Sequence, residues 1–380
     1  IGFASHTVPV YLAECSKADI RGTVVGCFNA FVVFGQILAS LLDGAFFYLD
    51  DGWRYMLGFG AVFSLLQLVG MVFLPESPRW LVRRGEDDKA LAVLRKLRGT
   101  ANNEREMDEI RDALDEQASE LSIRQILRSR PVMYALGLGS GIMALQQLVG
   151  INTVMYYSAT ILKDAGFGGN GDGKLCCCNK DALPIWLSLS TSCSQFLGIL
   201  IGQKLSDRMG RRPLLLSSCA IAALALALLG GGFAAKNRDD PTLSRASQAL
   251  TLTGLVGYLV AFGWGLATLP WTLNGELYPM AARSTCAGIS TMTNWLFNFI
   301  VAGSFLTLVE TPLETQGTFW LLSCIAVAGF VWLWVYMPET RGKTLGEINQ
   351  MFEDLAGVRS SFSAGHSVGS DAEFFTLNSG

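Results

Sequence analysis

Apolar stretches of membrane-crossing length recur from one end of this 380-residue chain to the other. A helix needs about 20 predominantly apolar residues to cross the hydrocarbon of a bilayer. Runs of that kind cover Val24–Tyr48, Tyr55–Leu74, Val132–Leu162, Leu183–Leu205, Leu214–Ala234, Ala249–Leu277, Ala287–Leu308 and Phe319–Met337. Ile1–Ala13 reads as the second half of another. In lipid a backbone has no water to bond, so runs this long must satisfy their own N–H and C=O groups as helices. The expected fold class is all-α, a polytopic membrane protein. Composition agrees: 51% of residues are hydrophobic and 16% charged, against about 25% charged in soluble domains.

One segment departs from this pattern. Residues 76–130 are charged and heptad-like, with Arg83, Arg84, Lys89, Arg95, Lys96 and Arg98 among many acids, and read as short surface helices. The chain therefore divides into four parts: 1–75, the remainder of an N-terminal transmembrane half; 76–130, a cytoplasmic linker; 131–340, a C-terminal transmembrane half; and 341–380, a cytoplasmic tail expected to be disordered from Gly357. Lys17, Arg21, the 76–130 segment, Lys204–Arg212, Arg283 and Arg341–Lys343 fall on one face, which the positive-inside rule makes cytoplasmic. The chain opens on Ile1, and the apolar run after it is too short to span before Glu14, so it reads as beginning inside a membrane helix. No basic run interleaved with aromatics suggests nucleic acid. Most cysteines lie inside spans, and Cys176-Cys177-Cys178 sit in a Gly-rich loop with no metal or redox role expected. No cofactor motif or nucleophile–base pair is present, so no enzyme activity is expected.

Polar groups inside the spans mark the candidate site. Gln146, Gln147 and Asn152 lie in the run Val132–Leu162, where amides facing lipid would be costly. Gly150 lies between them and permits a bend that aims them at one cavity. Amides donate and accept as hydroxyls do, so the expected ligand is rich in hydroxyls.

Charged residues reveal an internal repeat. Glu14 and Arg21 stand seven residues apart, as do Glu276 and Arg283. Pro-Glu-Ser-Pro-Arg at Glu76 follows Glu14 by 62 residues, and Pro-Glu-Thr-Arg at Glu339 follows Glu276 by 63. Parallel repeats with a mid-membrane site between them are a transporter architecture.

The motifs Pro9–Glu14, Pro75–Arg79, Gln146–Asn152, Asp207–Arg212, Pro270-Trp271 with Glu276, and Pro338–Gly342 resemble, as a set, the sugar porters of the major facilitator superfamily. Asp43–Phe46, Gly52–Leu57 and Pro270–Pro279 are most similar to the proton-coupled myo-inositol transporters. The resemblance implies a twelve-helix fold in two halves, here lacking roughly its first three helices. Carried over by position, it implies ligand contacts at Asn29, Gln146, Gln147, Asn152, Gln195, Trp271 and Asn294, with Asn298 as a brace. A Gly-Pro-x-Pro pattern before the tryptophan is absent, yet Gly263, Gly265 and Pro270 still predict a broken helix.

Glu14, Arg21, Glu76, Arg79, Asp207, Arg211, Arg212, Glu276, Arg283 and Glu339 are expected to form a conformational latch of ion pairs between the halves. The function expected is alternating-access transport of a cyclic polyol, myo-inositol first, with proton coupling implied by the resemblance alone. A facilitative hexose uniporter, or a non-transporting sensor or inactive truncated isoform, are the alternatives. Expected partners are a small-molecule polyol or sugar, the proton and membrane lipid, with no metal or other cofactor. The plasma membrane is the expected location, with the C-terminus cytoplasmic.

Overall fold

A computed structural model describes residues 2–16, 21–99, 103–117, 122–167, 183–236, 241–343 and 345–355. The Cys176–Cys178 loop and the tail from Gly357 lie outside the described residues, as do the side chains of Arg21 and Asp207. Among the described residues the secondary structure is helical throughout, with no strand.

The first three helices are α1 (Gly2–Cys15), α2 (Arg21–Phe46) and α3 (Gly52–Phe73). Four short helices follow: α4 (Pro78–Arg83), α5 (Asp87–Arg98), α6 (Asn103–Gln117) and α7 (Ile123–Arg128). The rest of the described chain comprises α8 (Arg130–Leu148), α9 (Ile151–Tyr156), α10 (Ser158–Asp164), α11 (Leu183–Met209), α12 (Arg211–Ala234), α13 (Pro241–Trp264), α14 (Leu269–Glu276), α15 (Arg283–Glu310), α16 (Glu314–Tyr336) and α17 (Leu345–Leu355). Among the described residues eight spans are long and apolar enough to cross a membrane, and they coincide with the runs read from sequence. The run Val132–Leu162 is α8, α9 and α10 in succession rather than one helix.

Lipid-facing surface is plain on α3 and α15. Leu57, Val72, Phe73 and Phe299 are each 73–76% exposed. Leaving such side chains in water forgoes about 1.5–3 kcal/mol apiece, so they require an apolar surround, lipid or protein. The main core lies instead among α8–α16, where Leu215, Leu226, Leu229, Leu259 and Phe319 are fully buried. Small residues set the spacing there. A Cβ on Gly198 would lie 2.3 Å from the Val260 carbonyl oxygen, and one on Gly202 would lie 2.2 Å from that of Trp264. The two glycines, one turn apart on α11, thus let it meet α13 backbone to backbone, the small-xxx-small packing of membrane helices.

Helices α4–α6 form a separate small core of Leu81, Ala90, Leu94, Met107 and Ile110. Ser77 caps α4, its hydroxyl accepting from the Trp80 N–H at 3.4 Å, and Ser122 and Gln125 form a reciprocal capping box on α7. Arg98 fixes this module to α1. Its guanidinium donates to the Cys15 carbonyl at 2.7 Å and to the Glu106 carboxylate at 2.9 Å, with its side chain only 8% exposed.

The first helices meet the later ones on two sides. The Trp295 indole N–H of α15 donates to the Ser5 hydroxyl of α1 at 2.9 Å. On the other side α2 packs on α11, with Phe34 and Phe196 6.4 Å apart between ring centres.

Candidate functional site

Two membrane helices are broken at the same level, and the site is built on the breaks. Gly150 separates α8 from α9 in a left-handed conformation, φ +84°. A side chain there would be strained by that dihedral, and its Cβ would also lie 2.8 Å from Leu322 Cδ1. A second break falls at Tyr157, before α10. The other broken helix leaves α13 at Trp264 and resumes as α14 at Leu269, with Pro270 in its first turn.

Broken helices in a membrane leave carbonyls that need donors. Tyr258 supplies one, its hydroxyl donating to the Val149 carbonyl at 2.8 Å. Gln146 supplies the other: its Nε2 donates to the Leu266 carbonyl at 2.7 Å and the Ala267 carbonyl at 3.3 Å. One break is therefore held by an amide from the helix that carries the other break.

From Gln146 a network of amides spreads across α8, α9 and α15. The Gln146 carbonyl accepts from Asn294 Nδ2 at 2.7 Å, and that same nitrogen donates to the Met143 carbonyl at 2.9 Å. Asn294 Oδ1 accepts from Gln147 Nε2 at 3.0 Å. Gln147 Oε1 in turn accepts from Asn152 at 2.8 Å and Asn298 at 3.1 Å. Asn294, Gln146 and Gln147 are only 1%, 4% and 6% exposed. Asn152 and Asn298 are half-buried and end the network, and their own side-chain carbonyls accept no hydrogen bond from a described residue. Asn298, read from sequence as a brace, belongs to the network.

The structure thus brings Gln146, Gln147, Asn152 and Asn294 together, and leaves the other expected contacts unbonded. Asn29 on α2 and Trp271 on α14 are half-buried and make no side-chain hydrogen bond to a described residue. Gln195 on α11 is 6% exposed, and its side-chain oxygen is buried without a partner. Gln36 on α2 has the same property and was not singled out by sequence reasoning. Its signal was spacing: Asn29, Gln36 and Asp43 fall seven residues apart, two helical turns, on one stripe of α2. An unpaired buried amide oxygen costs about 1–3 kcal/mol, a deficit that a donor hydroxyl from a ligand would remove.

The charged residues group differently from the expectation of ion pairs between halves. Arg211 and Glu276 pair at 3.1 Å, and Thr340 donates to the same carboxylate at 3.4 Å. Glu339 accepts from the backbone N–H groups of Arg211 and Arg212 at 3.0 and 3.1 Å, placing a carboxylate on the N-terminus of α12. Gly210 is needed there, at φ +94°, because a Cβ would lie 2.8 Å from the Glu339 carboxylate. Arg212 donates to the Trp334 carbonyl at 2.7 Å. Glu14 accepts from the Ser77 hydroxyl. Arg283 reaches only the Tyr278 carbonyl, at 3.4 Å, with its Nε buried and unpartnered. Arg79 and Glu76 form no ion pair with a described residue. Among the described residues, no ion pair joins α1–α3 to α8–α16: Arg54–Asp51 lies at the start of α3, Arg211–Glu276 lies within α8–α16, and the others lie among α4–α6 and their turns.

The family described as "Sugar (and other) transporter" matches residues 1–352. The chain is 34% identical over 439 residues to a "Proton myo-inositol cotransporter" of Homo sapiens, an alignment covering 93% of the chain and 66% of that protein. It therefore spans just under two thirds of the human relative's length. A Caenorhabditis elegans proton myo-inositol cotransporter is 31% identical, with 93% of the chain and 72% of that protein covered. "Facilitated trehalose transporter Tret1" of Drosophila erecta is 34% identical over 92% of the chain and 39% of its own length. Among solved structures, the partially occluded inward-open form of the xylose transporter XylE from E. coli superposes with a TM-score of 0.73 at 26% identity. That superposition covers 90% of this chain and 69% of XylE.

Proposed function

Because the chain belongs to the sugar (and other) transporter family, and has the all-α, multi-pass fold of the major facilitator superfamily, we propose that it carries a cyclic polyol across a membrane by alternating access. Myo-inositol is the substrate we infer, with the proton as co-substrate. The proton myo-inositol cotransporters among the relatives support that choice.

The observation that carries the reading is the placement of amides at broken helices. Gln147, Asn152, Asn294 and Asn298 offer free donor and acceptor capacity beside a backbone able to flex, and Gln36 and Gln195 hold oxygens with no protein partner. A ring of hydroxyls exchanges water for these groups, and an isomer that leaves one unpaired loses about 1–3 kcal/mol. Trp271, beside Pro270, is the flat apolar surface for the ring's C–H face. Asn29 completes the contact set from α2, and Gln146 acts mainly by holding the α13–α14 break.

In this reading the chain comprises the remainder of an N-terminal half (1–75), a linker (76–130), a C-terminal half (131–340) and a tail, and the halves rock about the polyol. The charged residues form the latch. In the conformation described, Arg211, Glu276 and Glu339 are held within their own set and Arg283 lacks a carboxylate; closing of that face brings Arg283 within reach of Glu14 or Glu76. The plasma membrane, with a cytoplasmic C-terminus, is the setting proposed.

Counterflow of labelled myo-inositol in liposomes containing the full-length protein tests the reading. Exchange competed by unlabelled myo-inositol, and not by trehalose or hexoses, is expected. Exchange competed by hexoses alone would replace the polyol with a sugar, and absence of any exchange would favour a non-transporting role.

A further inference from the structure

Asp43 stands apart from every other acid in the membrane part of the chain. Among the described residues, each other Asp or Glu of a membrane-crossing helix is the first or last residue of its span: Glu276, Glu310 and Glu314. Asp43 lies inside its span, Cys27–Phe46, and its side chain is half-buried with no hydrogen bond or ion pair to a described residue. Ionisable groups within spans are costly and usually functional.

Among the described residues its surroundings contain no counter-ion. The neighbouring Gly44 abuts α11, where a Cβ would lie 3.0 Å from the Trp186 indole, and the Trp186 N–H donates to the Tyr48 hydroxyl at 3.2 Å. The ends of α2 and α11 are therefore in contact beside the carboxyl. On α3 and the turn before it the charged groups are Asp50, Asp51, Arg54 and the phenol Tyr55. Arg54 turns to Asp51 at 3.6 Å and lies 5.3 Å over the Trp53 ring. The near half of α11 carries no charged residue, its one titratable group being the exposed thiol of Cys193. On α1, Tyr11, Glu14 and Cys15 sit at the opposite membrane face, and the side chain of His6 lies outside the description.

Asp43 also ends the stripe formed with Asn29 and Gln36. At 1.5 Å per residue, Gln36 lies about 10 Å below it along α2. None of the three side chains has a hydrogen-bond partner among the described residues, and together they form a polar lane along α2 toward the face remote from α4–α6.

We propose that Asp43 is a proton-binding site of the transport cycle: its carboxylate takes a proton from water on its own face and must be neutral for α2 and α11 to close there over a bound polyol. The bond formed is carboxyl O–H, and the proton returns to the same water when the lane reopens. This rests on the carrier reading. It goes beyond that reading by placing a pH-sensitive closure in α2.

Uptake of labelled myo-inositol from the Asp43 face is measured in proteoliposomes of the full-length protein as the pH on that face varies. Counterflow at equal pH is measured in parallel. Wild-type uptake is expected to rise several-fold from mildly alkaline to mildly acidic pH. Asp43→Asn, which mimics the neutral acid, is expected to hold the acid-side rate across the range with counterflow retained. Asp43→Glu keeps a titrating group and is expected to keep a pH-dependent rate. An Asn variant with the wild-type pH profile, or one fixed at the alkaline-side rate, would overturn the proposal. Loss of counterflow in both variants would do the same, assigning Asp43 to packing. Absence of wild-type counterflow would instead remove the carrier reading beneath it.

Discussion

Adjacent glutamines on α8 have different work, and substitution separates them. Gln146→Ala strips the donor from the Leu266 and Ala267 carbonyls at the α13–α14 break. Two buried carbonyls lose their partner at about 1–3 kcal/mol each, so thermal stability of the purified protein is expected to fall, with a drop of several degrees by differential scanning fluorimetry. Gln147→Ala removes the acceptor shared by Asn152 and Asn298 and the donor to Asn294. Myo-inositol uptake is expected to fall at least about tenfold, the equivalent of about 1.4 kcal/mol and so toward the lower end of that range, with surface expression intact. Unchanged uptake would remove Gln147 from the site. Sequence alone marked both residues as polar groups in lipid, but could not divide their roles. The division depends on which broken helix lies opposite, a fact of tertiary packing. Gln36 was missed for a related reason: its seven-residue spacing from Asn29 and Asp43 marks a stripe of α2, but that its side-chain oxygen is buried without a partner is a fact of packing.

At the scale of helices, the break at Gly150 was readable because glycine in a span permits a left-handed turn, and Gly265 with Pro270 marked the second break. The break at Tyr157 was not readable, since tyrosine is compatible with an unbroken helix. Gly150→Ala is expected to carry two costs, one from the φ of +84° and one from the 2.8 Å approach to Leu322. The dihedral accounts for about 1–2 kcal/mol. Trimming the neighbour in Gly150→Ala/Leu322→Ala should relieve the contact and leave the dihedral. Partial recovery of thermal stability, measured against Leu322→Ala alone, is the expected outcome; full recovery would show that the turn tolerates a side chain.

For the molecule as a whole, the eight spans and the helical linker could be read from hydropathy and charge, and the repeat from charged residues spaced alike in each part. How those charges pair could not, because in the proposed cycle pairing depends on which face is closed. Arg211 and Glu276 are partly exposed, 20% and 29%, so their 3.1 Å pair is worth about 0–1 kcal/mol after screening. Arg211→Ala is accordingly expected to leave the melting temperature nearly unchanged. It should shift the fraction of molecules open to each face, measured by labelling of single cysteines from either side. Identical labelling before and after would remove Arg211 from the latch.

The anchoring of α5 to α1 has a practical corollary. Arg98 grips both the last carbonyl of a membrane helix and a carboxylate of α6, so the linker helices ride on α1 as cargo bolted to its end. When α1 tilts, the bundle swings through a wider arc than the helix itself. A fluorophore on the watery side of α5 would then register the rocking of the carrier from outside the bilayer, and cutting the Arg98 grip would silence that signal while turnover continued.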